Sequence, residues 1–115
     1  LVMTGEANSI SLNGYNYDLQ EIAELFEGKL RGKIVHFSNA KVLDLDEEKA
    51  QYFLDITNAK AVSGYGHAFN GLSSANLDKV YFNLFNEDDD LVNVVELLHE
   101  KHYKACKYLD FRMYY

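Results

Sequence analysis

Proline and tryptophan are absent from the 115 residues, and cysteine occurs once, at Cys106. Without proline-rich stretches, low-complexity tracts or internal repeats, nothing marks a linker, and residues 1–115 read as a single domain. A lone thiol excludes an internal disulfide framework and fits a reducing compartment, so a cytoplasmic protein is expected. Basic residues are scarce too: 11 Lys and Arg against 18 Asp and Glu leave a net charge of −7. That balance argues against nucleic acid as a partner, because phosphate binding needs clustered cations. No run approaches the roughly eighteen apolar residues of a membrane span, so no membrane partner is expected either.

What is present is enough apolar side chain, 48% of the residues with 14% aromatic, for one packed core. The stretch Gly32-Lys33-Ile34-Val35-His36-Phe37-Ser38-Asn39-Ala40 is an apolar run ending in small polar residues, as expected of a strand buried on both faces in the middle of a sheet. Residues just past the carboxyl end of such a strand face the crevice where open α/β sheets bind ligands, here Ser38, Asn39 and Ala40. Upstream, Leu1 to Met3 is a short strand. Ser9 to Leu12 and Tyr15 to Tyr17 alternate in polarity across Asn13-Gly14, a hairpin signal.

Helices are expected where apolar residues recur at 3.6 spacing. Asp18 with Glu21 opens one that Gly28 stops, and Asp44 with Glu47 opens a second that ends at Asn58. Ser73 or Ser74 caps a third, with Leu77, Val80, Tyr81, Leu84 and Phe85 inward. The acidic run Glu87 to Asp90 precedes a long fourth helix whose buried face is Leu91, Val94, Val95, Leu98, His102, Ala105 and Leu109. Lys60 to Ser63 is a buried strand leaving through Gly64-Tyr65-Gly66, and Phe111 to Tyr115 is a closing strand. Strands alternating with helices predict a mainly parallel α/β sheet with helices on both faces.

Three motifs carry a resemblance that covers nearly the whole chain: Gly32 to Ala40, Lys60 to Gly66, and Leu109-Asp110-Phe111-Arg112-Met113-Tyr114-Tyr115. In this order they resemble the C-terminal part of a bacterial caspase-like cysteine peptidase domain of the CHAT type, clan CD. Such domains present their nucleophile on a strand of the type Gly-Lys-Ile-Ile-His-Phe-Gly-Ser-Cys. The resemblance therefore implies a caspase-haemoglobinase-like three-layer sandwich, and a domain lacking its N-terminal portion. It places Ala40 where the family has its cysteine and Thr4 where it has its histidine. A methyl group cannot attack a carbonyl, and threonine has no group that titrates near neutrality. The Asp-Trp pair that shapes substrate binding in relatives is matched here by Asn70-Gly71.

Other chemistries are weaker. His67 beside Ser38 or Ser63 would make a Ser/His pair, but no nucleophile elbow surrounds either serine, and loop hydrogen bonding explains them better. His36, in mid-strand, reads as a hydrogen-bonded structural imidazole. His102 and Cys106 stand one helical turn apart, where core packing is the better account. Glu96, His99 and His102 lack the spacing of a zinc motif, and Glu87 to Asp90 lacks that of a calcium loop. Gly64-x-Gly66 and Gly28-x-x-x-Gly32 are too sparse to cradle phosphate. No metal and no cofactor is expected.

The resemblance thus implies a catalytically inactive domain that binds a protein or peptide in the old cleft, lined by Gly5, Ser38, Asn39, Ser63, His67 and Asn70 around the degenerate positions Thr4 and Ala40. Two alternatives stay open. One is an active peptidase whose missing groups were mutated or come from outside the segment. The other is a structural or homo-oligomerising α/β module.

Overall fold

A computed structural model describes residues 2–6, 9–38, 47–66, 75–87 and 90–115. Strand β1 (Val2–Glu6) is followed by a hairpin, β2 (Ser9–Leu12) and β3 (Tyr15–Tyr17), closed by Asn13 and Gly14 at φ of 53° and 82°. Both residues tolerate the left-handed region, which is why the chain reverses there in two residues. Helix α1 (Leu19–Leu25) starts on a full capping box: the Asp18 carboxylate accepts from the Glu21 amide at 2.8 Å, and Glu21 accepts from the Asp18 amide at 3.1 Å. Two of the donors left over at the helix start are thereby satisfied.

After a turn through Gly28 and Gly32, both at positive φ, come β4 (Ile34–Ser38), α2 (Glu47–Thr57) and β5 (Ala61–Tyr65). Asn58 ends α2 in the left-handed conformation, φ 62°, as the sequence led us to expect. Helices α3 (Ala75–Glu87), α4 (Leu91–Lys101) and α5 (Tyr103–Leu109) precede the last strand, β6 (Phe111–Tyr114).

The six strands form one sheet in the order β3-β2-β1-β4-β5-β6. Only β1 with β4 and β4 with β5 are parallel; β2 runs against β1, β3 against β2, and β6 against β5. The expected mainly parallel sheet is therefore corrected to a mixed one. Strands joined by only two residues run antiparallel, which fixes β3 against β2 and, since two residues also separate Glu6 from Ser9, β2 against β1. The central position of β4 stands.

Each face of the sheet has its own core. Met3, Val35, Phe37 and Val62 pack with Ile10 against Leu19, Ile22 and Ala23 of α1 and Ala50, Phe53 and Leu54 of α2. On the opposite face Tyr65 and Phe111 pack against Leu77, Tyr81 and Leu84 of α3, Val94 and Leu98 of α4, and Cys106 and Leu109 of α5. Alternation along β4 sends Val35 and Phe37 to the first core and His36 to the second. Helices thus lie on both faces, as expected.

The single long helix expected from Leu91 to Leu109 is instead two. His102 leaves helical geometry at φ −128° and ψ 40°, closing α4 and opening α5. The break follows from which side chains must be covered. Past Leu98 the inward positions are Cys106, at 2% exposure, and Leu109, whereas His102 and Ala105 are only half buried. A bend at His102 turns Cys106 inward, and burial pushes its thiol up to about 11. The expectation of core packing for this residue agrees with its position.

A buried imidazole and carboxylate beneath the strand ends

The crevice expected beyond β4 begins at two register-paired residues, Thr4 of β1 and Ser38 of β4. The two strands are parallel, and β1 continues past this pair through Gly5 to Glu6. Thr4 is exposed and Ser38 half buried. Ala40, Asn39, His67 and Asn70 lie outside the described residues, as do Ser73 and Ser74. Gly5 is buried in the β1–β2 pairing, opposite Ile10. A Cβ there would run into the Ser9 carbonyl oxygen and lie 2.9 Å from the Ile10 Cα. Close strand approach is thus what requires a glycine at this position.

Ser63 departs from its expected place in the cleft. It is fully buried, next to His36 across the β4–β5 ladder. Its hydroxyl lies 2.8 Å from His36 Nδ1, 3.2 Å from the Tyr81 hydroxyl and 3.5 Å from the Val35 carbonyl oxygen. Burial pushes the Tyr81 phenol up to about 12, a shift that the Ser63 hydrogen bond partly offsets.

The other ring nitrogen, His36 Nε2, lies 2.6 Å from Oδ1 of Asp78. This aspartate sits on α3 facing the sheet, with its side chain only 9% exposed. Tyr65 donates to the same oxygen at 2.5 Å, and Ser38 donates to Oδ2 at 2.6 Å. Burial, the largest influence, disfavours the charged carboxyl. Hydrogen bonds from His36, Ser38 and Tyr65, with the charge interaction of His36, together outweigh it and hold Asp78 below the usual carboxylate range.

Because an ionised carboxylate only accepts, Nε2 carries a proton and donates it to Asp78. Nδ1 shares a hydrogen bond with the Ser63 hydroxyl, which shares another with the Tyr81 hydroxyl. One chain of hydrogen bonds therefore runs from α3 through β5 and β4 back to α3. Rings enclose it: Tyr65 and Phe82 meet the imidazole edge-on, and Phe111 stacks at 6.3 Å. No buried side-chain nitrogen or oxygen among the described residues lacks a partner.

The expectation that His36 is structural agrees with this geometry, since both nitrogens are engaged and the residue is 2% exposed. Serine, histidine and aspartate do stand in line, yet the serine is sealed in the core, where no substrate carbonyl can reach it. Asp78 was missed by the reading of the sequence. Its signal was an acid on the apolar stripe of α3, beside Leu77 and one turn before Tyr81. Among the described residues no group of three or more His, Cys, Asp and Glu is placed to hold a metal ion. Nor is any helix among them long and apolar enough to cross a membrane.

Residues 1–115 match the model of a family of unknown function, DUF6642. The chain belongs to the DUF6642 family. No curated protein and no solved structure matches it. In this DUF6642 chain the site consists of a buried imidazole–carboxylate pair beneath, and an exposed threonine and half-buried serine above.

Proposed function

We propose that the chain is a catalytically inactive caspase-like domain that binds a protein or peptide segment in the crevice at the carboxyl ends of β1 and β4. The observation that carries this reading is the register of Thr4 with Ser38. It brings together, on neighbouring strands, the position the resemblance gives to a catalytic histidine and the strand end that leads to the nucleophile position, Ala40. Neither Thr4 nor Ala40 can move a proton or attack a carbonyl.

His36 does not substitute for the missing base, because both its nitrogens are held within the core. The neighbouring surface suits an extended ligand. Val2, Thr4 and Ser11 are exposed on the β1–β2 half of the sheet face whose other half α3 packs against. A cytoplasmic setting goes with this reading, on the argument from the single thiol.

Selection of a displayed randomised peptide library on the immobilised chain tests it. Selected peptides are expected to shift the backbone amides of Thr4, Gly5 and Ser38. They should also lose about ten-fold or more in affinity to Thr4→Arg, roughly 1.4 kcal/mol. Binders that leave these amides unmoved and ignore the substitution would contradict the proposal.

A further inference from the structure

The two helical layers are fastened to the sheet by different chemistry. Beneath α1 and α2 the buried side chains among the described residues are apolar except Thr57, whose hydroxyl donates to the Phe53 carbonyl of its own helix at 2.8 Å. On the other face, the buried His36, Ser63 and Asp78 and the hydroxyls of Tyr65 and Tyr81 form one polar network crossing from β4 and β5 to α3. The buried carboxylate and the buried imidazole among the described residues thus belong to the same layer.

We propose that α3, α4 and α5 form an acid-releasable layer: protonation of Asp78 frees them from the sheet while the strands and α1 and α2 stay folded. The groups facing Asp78 and His36 define the device. From β4 come His36 and Ser38, from β5 Ser63 and Tyr65, and from α3 Tyr81. From β6 comes the uncharged Phe111, with His99 of α4 in edge contact behind it. The Asp110–Arg112 ion pair stands apart, over Gly66. No second carboxylate among these groups takes over the charge.

Once Asp78 is neutral, one of its oxygens carries a proton that it must donate, so the three donors that converge on the carboxylate no longer meet a group that only accepts. This weakens the contact of α3 with the sheet. Layers held by few or conditional contacts open locally below the global unfolding free energy.

Hydrogen exchange followed by mass spectrometry, corrected for the intrinsic pH dependence, tests this on the whole chain. As the pH falls below 3.8, the ordinary value for such a carboxyl, peptides from 75–87 and 91–109 are expected to lose protection. The loss should exceed that of peptides from 19–25 and 47–57 by about ten-fold or more. Asp78→Asn should reproduce the difference at neutral pH and flatten its pH dependence. Equal loss in all helices, earlier loss in α1 and α2, or an unchanged pH profile in Asp78→Asn would overturn the proposal. If the variant does not fold, the wild-type profile decides alone.

Discussion

Asp78→Ala is expected to lower the unfolding free energy by about 3–5 kcal/mol, the scale of several donors left without their acceptor. The reason lies in what remains. His36 Nε2, the Ser38 hydroxyl and the Tyr65 hydroxyl would all lose their acceptor. Two of these three residues are buried, with His36 at 2% and Tyr65 at 0% exposure, so water cannot replace the carboxylate without opening the seam. Against a total of about 5–15 kcal/mol for a domain of this size, the loss is large.

The effect carries its own pH signature. The carboxyl of Asp78 is held below its unfolded value, so its charge contributes stability in full above pH 3.8 and loses it as the pH falls through the lower folded value. The difference between wild type and Asp78→Ala should therefore shrink as the pH falls below 3.8. Urea unfolding at several pH values measures it. A difference that grows below that pH would refute the assignment of an ionised Asp78.

Phe37→Ala should cost a similar amount, about 3–5 kcal/mol, by a different route and without that pH dependence. Phe37 is fully buried at the centre of β4 and meets Phe53 of α2 edge-on, with centroids 5.6 Å apart and planes at 73°. Truncation removes the ring from between strand and helix and leaves a cavity that neighbours on a paired central strand cannot close. Phe37→Leu, which keeps most of the volume, should cost roughly 1–2 kcal/mol. Thermal and denaturant unfolding of the two variants gives the comparison. Equal losses would mean that the site collapses around alanine.

What could be read from the residues was what local chemistry decides. Asn13-Gly14 forces a reversal, Asp18 and Glu21 cap a helix, Asn58 ends one, and the run at Ile34 to Ser38 has no face for water. Strand direction was harder. Nothing in Phe111 to Tyr114 states that it will run against β5, because that depends on how the three helices between them are stacked. The bend at His102 was also hidden, since neither glycine nor proline marks it and the apolar spacing continues across it. It arises from tertiary packing that favours Cys106 over His102 at the inward position.

The candidate site was legible at its rim and not at its base. Ser38 followed from the end of its strand and Thr4 from the resemblance, whereas the pairing of His36 with Asp78 joins residues 42 positions apart, and no spacing rule connects them. Each was visible singly as a polar residue in apolar surroundings. A histidine inside a strand and an acid inside a helix stripe are each costly alone, and that shared cost indicates that they satisfy one another. The same reasoning moves Ser63 from the cleft into the network, because its place opposite His36 on the next strand leaves it no route to solvent.

In the proposed function the crevice above this network binds without cutting. Incubating the chain with a diverse peptide library and reading every mass over time tests it most directly. The peptides are expected to keep their intact masses, including those that bind with Thr4 and Ser38 at the contact. Time-dependent cleavage products that vanish when a crevice residue is replaced would contradict it.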